Sequence, residues 1–353
     1  MHTHRIAVIP GDGVGQEILP EAKRVLAALQ AKHGFVLEYT DYDWGSDYYL
    51  AHGRMAPEGF LDELRRSEAI LLGAVGHPKV PDHITLNGLL LPIRRTFDQY
   101  ANIRPAKLYK GVASPLALRK HEEIDLVVVR ENTEGEYAQI GGFLYHDQPE
   151  EVAVQTSVFT RRGVERVVRV AFELARKRNG KRKVTSVTKS NAQGYSLVLW
   201  DKAFAAVATE FPDIATESLL VDAAAMNFIR RPESFDVVVA SNLFGDILSD
   251  ISAMIVGSMG LAPSANLDPT RRNPSMFEPV HGSAPDIAFQ GIVNPLATFL
   301  CVEQMLDHLG HPEAAADIER SIASVVSGTN IRTPDLGGTS KTSQVTDAVI
   351  AEL

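Results

Sequence analysis

Short apolar runs alternate with longer amphipathic stretches along most of this chain. Runs rich in Val and Ile are typical of parallel strands buried on both faces, and the longer stretches repeat apolar residues at helical spacing. The pattern predicts strands over Arg5–Ile9, Phe35–Tyr39, Ala69–Gly73, Asp125–Val129, Lys183–Thr188 and Asp236–Ala240. It predicts helices over Glu17–Lys32, Thr160–Lys177 and Ala192–Glu210. We therefore expect an α/β fold in which helices cover both faces of a parallel sheet.

Polar residues follow three of the predicted strands. Arg130 comes directly after one strand, Lys189 follows another, and Ser241 and Asn242 follow a third. Ligands of α/β sheets bind beyond the carboxyl ends of the strands. We therefore expect the chemistry of this protein at these strand ends.

A less regular segment precedes the helix predicted from Thr160. Residues 141–149 lack periodicity, whereas Val152–Phe159 alternates between apolar and polar residues. This pattern predicts a β-hairpin or arm near residues 141–159. We expect such an arm to lie at a subunit interface.

Size and composition limit the class of protein. A chain of 353 residues and 38.5 kDa exceeds what one core usually serves, so we expect two domains or one large α/β unit. The 44 acidic residues outnumber the 35 basic ones, which disfavours a nucleic-acid partner.

The weakly charged stretch Ile251–Pro263 is shorter than the roughly 20 apolar residues that span a bilayer. A single cysteine, Cys301, excludes an intrachain disulfide. Without a secretory segment at the start, a cytoplasmic protein with no membrane partner is expected.

The first predicted strand runs into a glycine-rich turn with glycines at positions 11, 13 and 15. A dinucleotide fingerprint needs the spacing GxGxxG, followed by an acid such as Asp41 or Asp43 after the second strand. The spacing differs here, and Pro10 interrupts the strand directly before the turn. A pyrophosphate cradle and a tight turn that needs positive φ angles both remain open.

Three carboxylates are candidate metal ligands. Asp246 and Asp250 stand four residues apart and would share one helical face, where like charges repel unless a cation lies between them. Asp222 ends an apolar run and offers a third carboxylate. Oxygen donors without cysteine favour a hard cation, Mg²⁺ or Mn²⁺. The alternative is a helix N-cap followed by a solvated aspartate.

Four arginines stand in contexts unlike an ordinary surface: Arg94, Arg95, Arg104 and Arg130. Converging guanidinium groups indicate a substrate with more than one carboxylate, although each arginine alone is more often a salt-bridge partner. Tyr137 and Lys189 are candidates for proton transfer, with a plain surface position as the alternative.

A long segment dense in glycine and proline, Glu278–Asn294, predicts an ordered loop. Long loops of this kind often bind ligands.

Taken together, these segments resemble the β-decarboxylating dehydrogenases, the family of isocitrate, isopropylmalate, and tartrate or D-malate dehydrogenases. The resemblance spans nearly the whole chain, and the matching segments stand in the order of the family: Pro10–Glu17, Arg130–Tyr137, Val187–Asn191, Asp236–Asp250 and Glu278–Asn294. Within the family, the likeness to the tartrate and D-malate group rests on Pro81–Thr85, Arg94–Tyr100, Arg130–Tyr137 and Ala262–Asn266.

The resemblance implies a two-domain α/β fold with parallel and mixed sheets and no standard Rossmann cradle. It places residues 1–99 and 252–353 in a large nucleotide-binding domain. Residues 100–251 would form a small domain for substrate, metal and dimerisation. It also implies a homodimer whose active site lies in a cleft and is shared between subunits.

The implied reaction is NAD- and divalent-metal-dependent oxidation of a small 2-hydroxy diacid, tartrate or D-malate, with D-malate decarboxylated to pyruvate and CO₂. A monovalent cation is a further candidate cofactor. The family roles make Asp222, Asp246 and Asp250 the metal ligands and Arg94, Arg104 and Arg130 the substrate clamps. Tyr137, Lys189 and Asp222 would be catalytic, the last two reaching the site from the other subunit. The implied nucleotide contacts are His281, Gly282, Ser283, Ala284, Asp286, Ile287, Asn294 and Asn191.

Two alternatives concern the ligands. The three leucines at 89–91 could form a pocket for the branched group of 3-isopropylmalate. Asp286 indicates NAD rather than NADP because its carboxylate would repel a 2′-phosphate, but it could instead cap a helix after Pro285. The sequence departs from the family pattern in two places, at Asn87 and at the pair Phe289-Gln290. A catalytically inert regulatory subunit is the alternative from another class, and it would be expected to lack some of the acids, Tyr137 or Lys189.

Overall fold

A computed structural model describes residues 3–117, 120 and 123–353 of the chain. The strands are β1 Thr3–Gly11, β2 Val36–Asp41, β3 Ala69–Ala74, β4 Ala101–Lys107, β5 Asp125–Glu131, β6 Gly135–Leu144, β7 Val152–Val158, β8 Lys183–Thr188, β9 Ala215–Leu220, β10 Val237–Ala240, β11 Pro263–Leu267 and β12 Ser275–Pro279. The helices are α1 Gly15–His33, α2 Ser46–His52, α3 Phe60–Leu64, α4 Asp82–Thr85, α5 Leu91–Thr96, α6 Arg161–Arg178, α7 Ser196–Ala208, α8 Val221–Arg230, α9 Asn242–Ile255, α10 Leu296–Leu309, α11 Pro312–Gly328 and α12 Thr342–Glu352. A π-helical turn spans Leu86–Leu90, and short 3₁₀ turns span Pro232–Ser234, Met259–Leu261 and Pro334–Leu336.

The chain divides into two compact units. The first comprises residues 1–99, 103–125 and 252–353, and the second comprises residues 100–102 and 126–251. This division differs from the predicted boundaries mainly at residues 103–125, which pack with the first unit because Tyr109 is buried in its core. The nucleotide and substrate roles of the two domains stay predictions.

The first unit contains a mixed sheet. Its strand order is β2-β1-β3-β12-β11, followed by β4, of which residues 103–107 belong to this unit. β1, β2, β3 and β12 run parallel, and β11 is antiparallel to β12. Along β1, Ile6 and Val8 join one hydrophobic cluster while Ala7 and Ile9 join another. Both faces of this strand are therefore buried, which explains its unbroken apolar run.

The second unit contains parallel strands in the order β5-β10-β8-β9. The amphipathic helix α6 starts after Thr160, whose hydroxyl accepts a hydrogen bond from the backbone N–H of Gly163. The buried indole of Trp200 in α7 donates to the hydroxyl of Ser186 in β8, at 2.9 Å. That bond satisfies the indole N–H inside an otherwise apolar layer.

The predicted hairpin near residues 141–159 is present as the antiparallel pair β6–β7, which begins earlier than expected, at Gly135. Most of its side chains are exposed, and they include large apolar ones at Ile140, Phe143, Leu144 and Val154. A two-stranded ribbon with an exposed apolar face lacks a core of its own within the chain.

The predicted strands and helices are all present, and the α/β class is confirmed. Most ends lie within about two residues of the predicted ones, although α7 begins at Ser196 instead of Ala192. β9 and β11 were not predicted, since their sequences are rich in Thr, Ser, Glu, Pro and Asn. Cys301 is buried within α10, and burial raises the pKa of its thiol. In the described part of the chain, no helix has the length and apolar character to cross a membrane.

Candidate active site

The ends of β5 and β10 position one group of predicted site residues in the second unit. The parallel register places Ala240 opposite Arg130. The chain then continues through Ser241 into α9, which carries Asn242 and Asp246. Because these strands run in the same direction, the residues that follow β10 lie beside Arg130.

Arg130 is only 2% exposed, and its guanidinium contacts side chains of α9 and β6. Nη1 donates to Oδ1 of Asp246 at 2.5 Å, while Nε and Nη2 donate to Oδ1 of Asn242 at 3.1 and 2.7 Å. The Tyr137 hydroxyl donates to the other oxygen of Asp246 at 2.9 Å. The guanidinium carbon also lies 5.3 Å from the centre of the Tyr137 ring. A cation, a phenol and a carboxylate thus contact one another directly.

Two residues that support this cluster were not predicted as site residues. A Cβ atom on Gly245 would stand 2.6 Å from Cβ of Arg130, so only glycine allows α9 to approach this closely. The carboxylate of Glu136 accepts hydrogen bonds from the Ser241 hydroxyl at 2.8 Å and the Leu243 backbone N–H at 3.1 Å. Glu136 thereby caps the N-terminus of α9. Both residues lie within the segments that carry the family resemblance, but only the fold shows what each one does.

The neighbouring strands β8 and β9 bring a second pair together. Their register places Thr188 opposite Leu220, so Lys189 and Asp222 follow adjacent strand ends. Lys189 Nζ donates to Oδ1 of Asp222 at 2.6 Å. This contact lowers the pKa of the Asp222 carboxyl, which also lies in the first turn of α8.

The three candidate metal ligands do not meet within one chain, as far as the described residues show. The only cluster of three potential ligands found among those residues is His146, Asp147 and Glu151, on the exposed turn of the hairpin. Asp246 and the exposed Asp250 lie one turn apart on α9. Their oxygen donors suit a hard cation.

Arg94 and Arg104, which belong to the first unit, are both buried. Arg94 Nη2 donates to Oε1 of Glu278 at 2.7 Å, and the same oxygen accepts from Nδ2 of Asn266 at 2.8 Å. Arg94 is therefore a salt-bridge partner in this structure, and its Nε is buried without a hydrogen-bond partner among the described residues. Arg104 lies in β4.

The loop after β12 carries most of the predicted nucleotide contacts. Nδ1 of His281 lies 2.9 Å from the backbone oxygen of Gly282. A carbonyl only accepts, so Nδ1 carries the proton, and Nε2 is an acceptor that is buried with no partner among the described residues. Burial lowers the pKa of His281, which keeps the ring neutral.

His281 lines a cavity of about 260 Å³ in the first unit. Apolar side chains form much of its wall, including Val14, Ile287 and Ile292, and Asn294 is its main amide. Asn294 Nδ2 donates to Oδ2 of Asp335 at 2.9 Å, which orients the amide. An apolar cavity with a neutral imidazole acceptor and a fixed amide fits a flat heterocycle such as adenine.

The remaining nucleotide candidates lie around this loop or apart from it. Ser283 is buried, and its carbonyl accepts the backbone N–H of Val14 at 2.9 Å. Ala284 also lines the cavity, and Gly282 is exposed. Asn191 belongs to the second unit, where it is exposed in the turn after β8.

The glycine turn before α1 packs against the loop that follows β12. Gly11 and Gly13 have φ angles of 66° and 52°, which confirms the tight turn with positive φ. A Cβ on Gly13 would stand 2.2 Å from the Ser283 carbonyl oxygen. β1 continues through Pro10 to Gly11, beyond its predicted end.

Asp286 does not cap a helix. Residues 285–289 form turns, and the next helix, α10, begins only at Leu296. The capping alternative is therefore wrong, because the backbone N–H of Ile287 and Ala288 bond to the Ala284 carbonyl instead of starting a helix. The exposed carboxylate of Asp286 faces solvent beside the cavity residue Ile287.

Glu131, directly after Arg130, is a buried acid that was not predicted as a site residue. Oε1 accepts from the backbone N–H and the hydroxyl of Thr133, and Oε2 accepts from the backbone N–H of Glu134. These bonds favour the ionised form, but burial outweighs them and raises the pKa of Glu131 to about 7.

Comparison with known proteins identifies the class. The family model described as isocitrate/isopropylmalate dehydrogenase matches residues 5–349. The crystal structure of isocitrate dehydrogenase from Methylococcus capsulatus superimposes with a TM-score of 0.89 at 36% identity, covering 99% of both chains. The chain therefore belongs to the isocitrate/isopropylmalate dehydrogenase family, which confirms the predicted family and fold and makes the protein an enzyme of the dehydrogenase class.

The names of similar proteins indicate the subgroup within this family. The chain is 50% identical to a protein named tartrate dehydrogenase/decarboxylase from Pseudomonas putida, over 99% of this chain and 97% of that one. It is 49% identical to the protein named D-malate dehydrogenase (decarboxylating) from Escherichia coli strain K12, over 99% of this chain and 98% of that one. The predicted likeness to the tartrate and D-malate group is confirmed.

The raised pKa of Glu131 leads to a prediction about stability. The folded protein keeps this proton up to about pH 7, whereas the unfolded chain loses it near the ordinary value of 4.5. The free energy of unfolding contributed by this group is therefore present below pH 4.5 and is lost as the pH rises to 7, by up to about 3 kcal/mol. Glu131→Gln should flatten this part of the profile, measured by urea unfolding at pH 4.5, 6 and 7.5.

The exposed substitution Glu58→Gln is the matched control, since that side chain is almost fully solvated. E131Q should also lose stability at every pH because an amide N–H would face the N–H of Glu134. An unchanged difference in stability between pH 4.5 and 7.5 in E131Q would contradict the assignment.

Proposed function

We propose that this enzyme oxidises the hydroxyl of a small C4 2-hydroxy diacid, tartrate or D-malate, and decarboxylates D-malate to pyruvate and CO₂. The observation that carries the proposal is the contact of Arg130, Tyr137 and Asp246 at adjacent strand ends. A guanidinium suits a substrate carboxylate, a phenol suits proton delivery, and a carboxylate suits a divalent cation. The names of the similar proteins supply the substrate class.

The arginines bind and orient the diacid. Arg130 is presented at a strand end with its fork held by Asn242, so that the direction of its donors is set before substrate arrives. Arg94 and Arg104 provide further buried positive charge for carboxylates. In this proposal, Arg94 keeps its bond to Glu278 and uses its unbonded Nε or remaining donors.

Asp246 and Asp250, together with Asp222 of the partner subunit, would hold Mg²⁺ or Mn²⁺. A bound divalent cation would supply Lewis-acid stabilisation of the hydroxyl oxygen and later of the enolate oxygen. Tyr137 already donates to Asp246, so the carboxylate orients the hydroxyl that gives its proton to the enolate carbon. The partner subunit's Lys189 removes the proton of the substrate hydroxyl.

NAD is the proposed nucleotide, and when bound it would supply the acceptor for the hydride. The buried Nε2 acceptor of His281 and the apolar cavity that it lines support an adenine site. Asp286, exposed beside this cavity, would accept hydrogen bonds from ribose hydroxyls and repel a 2′-phosphate. Gly282, Ser283, Ala284, Ile287, Asn294 and Asn191 are the further proposed contacts.

A homodimer is part of the proposal. Helix α8 exposes Met226 and Ile229, and α9 exposes Ile247 and Met254. Ile140, Leu144 and Val154 of the hairpin are likewise large, apolar and exposed, as the residues of a subunit interface are in a single chain. Their burial against a second copy would carry Lys189 and Asp222 into the site of the other subunit. The single buried cysteine agrees with a cytoplasmic location.

The structure favours a small substrate over 3-isopropylmalate. Leu89 and Leu90 belong to a hydrophobic cluster with Ile93 and Phe97, and Leu91 is buried as well. Leucines already packed in a core are not available to form a pocket for a branched group. The chain also keeps the acids and bases that an inert regulatory subunit would be expected to have lost.

The substrate proposal predicts the order of rates. With NAD and Mn²⁺ fixed, kcat/KM for D-malate or L-tartrate should exceed that for 3-isopropylmalate and isocitrate by at least about tenfold. EDTA should abolish activity, Mn²⁺ should restore it, and exchange of K⁺ for choline shows whether a monovalent cation is required. A preference for isopropylmalate, or full activity after metal removal, would contradict the proposal.

A mixed-dimer experiment tests the shared site. Tyr137→Phe and Lys189→Met should each lose about 10²- to 10⁴-fold in turnover. In a heterodimer of the two variants, one site receives both intact residues and the other receives neither. Co-expressed chains that pair at random should recover about a quarter of the parent activity. Absence of recovery, with heterodimers verified by differential tags, would mean that both residues serve the same subunit.

The nucleotide preference is predicted from Asp286. The parent should have the higher kcat/KM with NAD, and Asp286→Lys combined with Ile287→Tyr should shift the ratio toward NADP by about tenfold or more, since a cation replaces an anion beside the 2′ position. Exchange of the exposed Glu58 for Lys is a control for the added charge. A ratio unmoved by the double change would remove Asp286 from the cofactor site.

A further inference from the structure

A second cavity in the first unit lies where β3 and β12 begin. It measures about 230 Å³, and its wall includes Ser67 and Glu68, directly before β3, and Asn273 and Pro274, directly before β12. The loop after β12, which carries the proposed nucleotide contacts, lies at the other end of β12. The 5 residues of that strand separate the two places by roughly 16 Å.

Three arginines line this cavity: Arg65, Arg271 and Arg272. In the part of the chain that the structure describes, none of them has a carboxylate within ion-pairing distance. Glu68 lies in the same wall, but its carboxylate accepts from Nδ1 of His4 at 2.9 Å. Three guanidinium groups therefore line this small cavity. The one carboxylate in its wall, that of Glu68, is already bonded to His4.

Neighbouring residues hold the backbone that carries Arg271 and Arg272, and the side chain of Arg65. Buried Asp268 accepts the backbone N–H and hydroxyl of Thr270 with one oxygen, and the backbone and side-chain N–H of Asn273 with the other. These bonds fix both ends of the loop that presents Arg271 and Arg272. Arg65 Nη1 donates to Oδ1 of Asn273 at 3.1 Å, so the third fork is oriented by the same loop. A site ordered in advance loses less conformational entropy when it binds.

The side chains that line the cavity carry more positive than negative charge. The wall also includes His308 in the last turn of α10, and burial together with the charge of Arg271 lowers the pKa of this histidine to about 4. A neutral imidazole neither adds to nor cancels the charge of the arginines. Among the side chains that line the cavity, three guanidinium groups stand against one carboxylate, that of Glu68. Asp268 and Asp307 also act on His308 but do not line the cavity, and the hydrogen-bonding capacity of Asp268 is taken up by Thr270 and Asn273. The lining itself therefore favours an anion with at least two acceptor oxygens.

We propose that this cavity is a second, non-catalytic binding site for a small oxyanion-bearing metabolite, recognised through the forks of Arg65, Arg271 and Arg272. Phosphoryl and carboxylate groups share the geometry that these forks bind bidentately. The cavity volume suits a compact ligand of one or two such groups. The proposal concerns binding alone, so it stands independently of the proposed reaction.

The test is isothermal titration of the full-length protein with pyrophosphate and, separately, with citrate, in a buffer without phosphate. The double substitution Arg271→Ser with Arg272→Ser should weaken the tighter of the two probes about tenfold or more, because several charge-assisted contacts are lost. The probe that binds more tightly identifies the ligand as phosphoryl or carboxylate. The matched control is Arg54→Ser with Lys110→Ser, which removes the same charge at exposed positions outside the cavity.

Anions that also enter the catalytic site are recognised by stoichiometry. In that case the parent binds two equivalents per chain, and the Arg271 and Arg272 variant keeps one. The variant should retain the parent kcat/KM with its preferred substrate, since it changes no residue of the candidate active site. Equal affinity and stoichiometry in parent and variant, an equal loss in the control, or no binding of either probe would overturn the proposal.

Discussion

The buried positive charge of Arg130 is the constraint around which the second unit is arranged. A guanidinium does not lose its proton inside a protein, so a side chain this deeply buried requires an anion in contact. Asp246 provides that anion from α9, which ties the helix to the end of β5. Gly245 allows the helix to approach, and Glu136 satisfies the backbone donors at the start of α9. The side chains proposed to react are therefore among those that hold this part of the unit together.

Because neighbouring strands of the second unit are parallel, the residues that follow their carboxyl ends lie at the same edge of the sheet. β5, β10 and β8 all end at one edge of the sheet, and each is followed by a charged or polar residue. For this reason the sequence pattern alone could indicate that Arg130, Asn242 and Lys189 lie at strand ends. Burial on both faces produces the continuous apolar runs that made these three strands recognisable. Edge and antiparallel strands such as β9 and β11 lack that pattern and were missed.

The sequence did not indicate which side chains pair with each other across distant segments. Arg94 and Glu278 lie 184 residues apart, and nothing in the local pattern of either residue indicates their ion pair. Glu131 is similar, because its raised pKa reflects burial that arises only once the unit has folded. Local rules also failed at Asp286, where proline followed by aspartate favours a helix start but the chain forms turns instead. Such contacts depend on packing between distant segments, which propensity and periodicity do not encode.

The burial of Cys301 in α10 has a practical consequence for work on this protein. Its thiol is kept protonated and out of solvent, so it lacks the exposed thiolate with which alkylating reagents react. The chain holds no other cysteine. A cysteine introduced at an exposed position of the hairpin would then be the sole reactive thiol, and a fluorescent or spin label attached there would report from one known position without the removal of any native residue.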